Sequence, residues 1–297
     1  MLIIDAHSHL WWEQDTVVDG CHIHPIDGNR SRSTFFDGER QMLPPFMTDG
    51  HNTAEVFLSN MDYAQVNAAV VVQEFIDGNQ NDYLQQVQQR YAGSGRFFCM
   101  GMALSADEAR GLHEAGFRGI AIPGHRVHES LLTMLPMFRY MEQEGMILSL
   151  CLHEDNHQLP EVEEIIAQCP DLKIAVGHFG MVTTEGWMEQ IRLARHRNVM
   201  VESGGITWLF NAEFYPFEGA MRAIRQAADE VGIEKLMWGS DYPRTITAIT
   251  YRMSYDFVLK SDVLSEREKQ LFLGENARQF YGFKELVELP YIKNMSE

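Results

Sequence analysis

The chain has 297 residues and is 45% hydrophobic, enough to bury a large core as one α/β domain or two small ones. Its 42 acidic residues against 24 basic ones give a net charge of −18, which argues against nucleic acid or an anionic membrane surface as the main partner. Four scattered cysteines with no C-x-x-C pair, and a start that runs straight into an apolar strand, point to a cytoplasmic setting without leader or membrane span.

The opening stretch, MLIIDAHSHL, places Asp5, His7 and His9 at every second position after an apolar run. Strict strand alternation would put all three on one face. Two imidazoles at i and i+2 can reach one cation, and neutral imidazole suits Zn and other first-row ions. An isolated H-x-H carries little weight, so later strands must supply further donors. Residues 11–50 follow, rich in Gly, Pro, Asn, Ser and Asp, and read as one long irregular loop of the kind that forms lids or binding loops. That loop holds a second H-x-H, His22-Ile23-His24, with neither a strand frame nor a third ligand in view. A surface or substrate-facing role is expected for it ahead of a metal role.

Thr53 is read as the cap of a helix with Phe57, Met61 and Ala64 at helical spacing. Apolar strands are then predicted at 68–73, 97–103, 117–122, 146–152, 172–177, 198–203 and 235–240. Helices separate them near 81–92, 105–115, 129–144, after Pro160, at 185–197 and at 217–231, and two more near 265–273 and 276–281 end the domain. Eight near-continuous apolar strands, each followed by a helix, predict an α/β fold of (β/α)8 TIM-barrel type. It would be a single domain over 1–283, with 11–50 as a loop insertion after the first strand and 284–297 as a tail. An open doubly wound sheet is the alternative, but no G-x-G-x-x-G turn follows any strand.

In such a barrel the working residues stand at the carboxyl ends of the strands. The first strand ends in His7 and His9, the fifth in His153 and Glu154, the sixth in Gly177-His178-Phe179-Gly180, and the eighth in Gly239-Ser240-Asp241-Tyr242-Pro243. Four strands thus aim histidines and an aspartate at one mouth, and their joint occurrence carries the inference. Specificity is expected from the loops beside them. Gln73 follows the second strand, His125 and Arg126 the fourth, Trp208 the seventh, and Arg244 stands just past Asp241. Arg126 has the geometry to clamp a carboxylate with two parallel hydrogen bonds.

Taken together, the H-x-H of strand one, the HED end of strand five, the GHFG of strand six, the GSDYP of strand eight and the closing GENARQFYG at 274–282 resemble the amidohydrolase superfamily. Most closely they resemble its second family, which contains metal-dependent decarboxylases and lactonases of sugar acids and pyrone dicarboxylates. The resemblance spans about 2–283. It implies that His7, His9, His153 and Asp241 hold one divalent ion, Zn first and Mn or another ion as alternatives, with His178 beside it. The binuclear branch of the superfamily bridges its metals through a carboxylated lysine on strand four, and FRGIAIPG has none, so one ion is expected. Asp241 would take the proton of the activated water and pass it on, while His178 would polarise the scissile carbonyl. The implied function is a metal-dependent hydrolase acting on an ester, lactone or amide of a small, carboxylate-bearing molecule. A metal-dependent decarboxylase of a small unsaturated or aromatic acid is the alternative, a metal-independent lactonase the second, and a non-catalytic binding protein the third. The mouth is expected to be locally cationic through the ion, Arg126 and Arg244. The partner is a small-molecule substrate, with self-association left open.

Overall fold

The computed structural model describes residues 1–291, 293 and 295. Of the expected tail at 284–297, positions 292, 294, 296 and 297 lie outside the described residues. The eight predicted strands are β1 (Ile4–Ser8), β2 (Ala68–Val71), β3 (Phe97–Cys99), β4 (Gly119–Pro123), β5 (Ile147–Cys151), β6 (Lys173–Val176), β7 (Val199–Glu202) and β8 (Leu236–Met237). β1, β2 and β3 pair in that order, as do β4 to β8, and every pairing is parallel. Two seams join these runs. Between β3 and β4, Gly101 N donates to Gly119 O at 3.0 Å and Ala121 N to Gly101 O at 2.8 Å. Between β8 and β1, Ala6 N donates to Trp238 O and Asp241 N to His7 O, both at 2.9 Å. The result is the expected α/β TIM barrel.

Apolar side chains fill the ring from inside, with Ile4, Ala6, Ala68, Val70, Met100, Ala121, Ile147, Ala175, Met200 and Met237 in one buried cluster. A second, larger cluster lies between strands and helices. The helix Ala54–Ala64 shows how the outer layer forms. Thr53 caps it by accepting from Val56 N, and Ala54, Phe57, Met61 and Ala64 make its buried stripe. Phe57 stacks on Tyr242, ring centroids 4.1 Å apart, directly behind Asp241. Each such buried aromatic contributes roughly 1.5–3 kcal/mol by leaving water. The core therefore supports the site as well as the fold.

Three readings need correction. β1 does not alternate strictly: its register against β2 shifts between Asp5 and Ser8, so one extra residue is accommodated there. The bulge turns His7 and His9 into the mouth while Ile4 and Ala6 stay in the ring interior, and it leaves Asp5 against Ser240 and Tyr251 instead of beside the histidines. Residues 11–50 are not irregular. They form short antiparallel strands at Thr16–Val18, Cys21–Ile23, Pro25–Ile26, Asn29–Phe35 and Gly38–Gln41. Three Asp-Gly pairs, at 19–20, 27–28 and 37–38, make their turns, a hairpin signal outweighed by the polar composition around it. An additional helix, Met253–Lys260, lies between β8 and the closing helices. Among the described residues no helix is long and apolar enough to cross a membrane.

Candidate active site

The carboxyl ends of the strands surround a cavity of about 300 Å³, the scale of a small-molecule site. His7, His9, Gln73, His125, Arg126, His153, His178, Trp208, Asp241 and Arg244 all line it. Within that lining a tighter group forms. His7 Nε2 and His9 Nε2 are 3.1 Å apart, and Asp241 Oδ1 lies 3.0 Å from His9 Nε2 and 3.8 Å from His7 Nε2. All three residues are buried. Bonds of about 2.0–2.1 Å to a tetrahedral Zn imply donors about 3.3 Å apart, so the three atoms fit one cation. Asp241 Oδ1 has no hydrogen-bond partner, a condition that costs about 1–3 kcal/mol in a buried group and that a cation would relieve.

Electrostatics agrees with the geometry. Burial opposes charge on His7, but Glu202, through its charge and a hydrogen bond, together with Asp241, outweighs it and pushes the ring up to about 9. Burial likewise raises the Asp241 carboxyl, yet the neighbouring His9 ring and the Arg244 charge hold it well below the usual carboxylate range. The cluster favours positive charge, whether as a proton or as a cation.

Several contacts hold these groups in place. Asp5 is a buckle between β1 and the Asp241 loop: Oδ1 accepts from Ser240 N at 2.8 Å and His7 N at 3.1 Å, and Oδ2 accepts from Ser240 Oγ at 2.5 Å and Tyr251 OH at 2.7 Å. Burial outweighs those bonds and pushes Asp5 up to about 6. Asp241 and His178 have left-handed backbones, φ 60° and 55°, a conformation L-residues hold only when their surroundings impose it.

The expected substrate contacts turn out to be engaged with the protein. Trp208 Nε1 donates to Asp241 Oδ2 at 2.8 Å, so Trp208 orients the carboxylate. Arg244 Nη2 donates to Asp77 Oδ1 at 2.7 Å. Arg126 Nε donates to Glu74 Oε1 at 3.0 Å, and His125 Nε2 lies 3.2 Å from Glu74 Oε2. Burial raises Glu74, but the His125 hydrogen bond and charge, with Arg126 and Arg244, bring it down to about 2. Gln73 is used in three hydrogen bonds, to Asn81, Met100 O and Gln80 N. The arginines are thus balanced by Glu74 and Asp77, and they do not make the mouth cationic by themselves.

Of the two remaining histidines, His153 departs from expectation in its placement, and His178, found beside the cluster as expected, departs only in its hydrogen bonding. His153 is not brought to the cluster. Its ring turns outward, Nδ1 3.0 Å from Asp155 Oδ1, in a group with His157 at the rim. The reason is that β5 ends at Cys151, and His153 already stands in the loop. His178 is the histidine beside His7, ring centroids 4.6 Å apart. Its Nδ1 lies 2.9 Å from Gly204 O. A carbonyl only accepts, so Nδ1 carries the proton and Nε2 of the neutral ring is a lone pair. Burial, with the nearby His7 charge, lowers the His178 pKa and keeps that ring neutral. It therefore cannot donate to a scissile carbonyl until it has taken up a proton.

Sequence reasoning overlooked Glu202 and Asp77, and it placed Glu74 beside Gln73 in the loop after the second strand without a role of its own. Glu202 was open to discovery: it is an acid closing an apolar strand, at the carboxyl end where barrel sites lie. Glu74 and Asp77 follow β2 in a loop without motif, and only the fold pairs them with Arg126 and Arg244.

A family model described as amidohydrolase matches residues 4–283. No curated protein matches the chain. Among solved structures, a candidate 2-pyrone-4,6-dicarboxylic acid hydrolase from Pseudomonas putida is similar at 19% identity, with 95% of this chain and 98% of that chain covered and a TM-score of 0.70. An amidohydrolase from Burkholderia multivorans with bound zinc is similar at 16% identity, with 95% and 99% covered and a TM-score of 0.68. A 5-carboxyvanillate decarboxylase from Novosphingobium aromaticivorans, complexed with manganese and a nitrobenzoic acid, is 20% identical over 77% of this chain and 80% of that one, with a TM-score of 0.53. At these identities the likeness carries the fold.

Proposed function

The chain belongs to the amidohydrolase family, and from that premise we propose that it is a divalent-metal-dependent hydrolase opening an ester, lactone or amide of a small molecule that bears a carboxylate. The observation that carries the reading is the convergence of His7 Nε2, His9 Nε2 and the unpartnered Asp241 Oδ1 at the carboxyl end of the barrel. Those three residues would hold the ion, with His178 as the neighbouring histidine. Bound there, a divalent ion would supply water activation near neutral pH and positive charge for a developing oxyanion.

The chain's own groups do the rest. Asp241, its carboxylate oriented by the Trp208 hydrogen bond to Oδ2, accepts the proton of the attacking water. His178, its Nδ1 proton given to Gly204 O, offers Nε2 to receive that proton and pass it to the leaving-group oxygen. Val72, Ile76, Ile122 and Leu152 give the cavity apolar walls that orient a small substrate. A carboxylate on that substrate is favoured by similarity to the candidate pyrone-dicarboxylate hydrolase over 95% of the chain, and by the charge of a bound ion. Hydrolysis is preferred to decarboxylation because the decarboxylase covers less of the chain at a lower TM-score.

The test is turnover of a panel of lactones, esters and aromatic acids, with and without a strong chelator. Chelator-sensitive ring opening of an acidic lactone is the expected result. Release of carbon dioxide from an aromatic acid would make the protein a lyase, and full activity in chelator would make it a metal-independent lactonase.

A further inference from the structure

Glu202 is the carboxylate that the scheme above leaves unused. It ends β7 with its side chain 1% exposed. Oε1 accepts from His7 Nδ1 at 2.7 Å and from His178 N at 3.2 Å, and Oε2 accepts from Gly204 N at 2.5 Å. One oxygen therefore touches both a β1 ring and the backbone that follows β6.

Space has been kept for it by three different strand ends. A Cβ on Gly177 would stand 2.8 Å from Glu202 Oε1, one on Gly204 2.8 Å from Oε2, and one on Gly239 2.9 Å from Oε2. Cβ atoms on Gly204 and Gly239 would also come within 2.8 and 2.7 Å of the His7 side chain. Bare backbone at β6, β7 and β8 thus encloses the Glu202–His7 pair. A group whose only task was to fill space would not need two acceptors. Every partner of this side chain is an N–H, so an amide of the same shape would turn its NH2 toward another donor.

Resting on the reading of His7 as a cation ligand, we propose that Glu202 is a positioning residue, one carboxylate that fixes the His7 ring and the His178 backbone together. By accepting from Nδ1–H it leaves the Nε2 lone pair of His7 facing His9 and Asp241, the arrangement in which a carboxylate behind a ligating imidazole fixes its tautomer and strengthens it as a donor. Its second contact, to His178 N, holds the loop whose Nε2 relays the proton. Cation affinity and turnover are coupled through this one side chain.

The experiment measures zinc affinity by competition with a chromophoric chelator, and kcat and KM at saturating zinc, for full-length wild type, Glu202→Gln and Glu202→Asp. It adds the long-range ¹⁵N–¹H spectrum of the wild-type histidines. Glu202→Gln is expected to lose 10–100-fold in zinc affinity. At saturating zinc, kcat falls further with KM little changed. Glu202→Asp keeps the charge but withdraws the oxygens by one methylene, so it should lose affinity comparably if contact matters. In wild type, with the spectrum recorded above pH 9 so that the ring is neutral, His7 should carry its proton on Nδ1. Affinities within twofold of wild type in both variants would overturn the proposal. So would a His7 ring that averages between tautomers, a result that needs no variant to fold. Failure of wild type to bind zinc would instead sink the reading of the cation site, while the spectrum would still decide whether Glu202 fixes His7.

Discussion

The chain carries two H-x-H motifs, and the contrast between them explains the site. His22 and His24 flank Ile23 in the insertion, their rings 4.3 Å apart, closer than the 4.9 Å between those of His7 and His9. Yet each has found a partner of its own. His22 Nε2 pairs with Asp15 Oδ1 at 2.6 Å on an exposed surface, and His24 Nδ1 lies 3.0 Å from Pro25 O. His7 and His9 are buried, share Asp241 across a barrel seam, and have carboxylates behind them at Glu202 and Asp77. Ring proximity is common to both pairs. What differs is a third donor from another strand, exclusion of water, and negative charge that a proton or a cation balances.

The largest expected effect comes from removing the third donor. Asp241→Asn should leave the fold intact, as judged by circular dichroism, but reduce kcat about 10²–10⁴-fold, because an amide cannot accept the water's proton. Retention of a tenth or more of the activity would mean that Asp241 only helps to hold the site.

Next come the two histidines that the structure sorts differently from the motifs. His178→Asn should cost about 10–100-fold in zinc affinity or turnover, the range for a group at or just behind the ion. His153→Asn should change both by less than about twofold, since its ring belongs to the rim group with Asp155 and His157. A reversed pattern, measured by metal titration and steady-state kinetics, would restore His153 as a ligand.

A smaller change is expected from Trp208→Phe, which deletes one hydrogen bond to the carboxylate. Such a bond is worth about 1.5 kcal/mol, or roughly tenfold in kcat. A change confined to KM would make Trp208 a substrate contact instead.

The smallest expected effect is structural and depends on pH. Glu74 has a folded-state pKa near 2, below its ordinary 4.5, so its contribution to stability is fully present above about pH 4.5 and is lost as pH falls toward 2. Glu74→Gln should therefore melt below wild type at pH 7, by an amount on the order of 2 kcal/mol, with the gap closing as the pH drops from 4.5 to 2. Parallel melting curves over that range would show that Glu74 has no special partnership with His125 and Arg126.

Much of this was legible in the sequence. The eight strands were visible because parallel strands buried on both faces are almost wholly apolar, as in AAVV at β2 or IAV within β6. Their order then nominated the residues at their ends, and all ten nominated positions line one cavity. Details that rest on a single residue's geometry stayed hidden. The bulge in β1 breaks the alternation that motif spacing assumes, and the two residues from Cys151 to His153 decide whether a histidine faces inward or the rim. Pairings such as Glu74 with Arg126 or Glu202 with His7 join residues 52 and 195 positions apart, and no local pattern announces them. The Asp-Gly turns of the insertion were legible in principle but were masked by a composition that also describes loops.

The central claim is that placement at the barrel's carboxyl end, and not the H-x-H motif, makes the cation site. Elemental analysis of the purified protein beside His7→Asn and a His22→Asn/His24→Asn double variant tests it most directly. The account predicts about one divalent ion per chain in wild type, little or none in His7→Asn, and an unchanged content in the insertion variant. An ion that survives His7→Asn but disappears with His22 and His24 would contradict it, as would a wild-type chain that carries no ion and works fully in chelator.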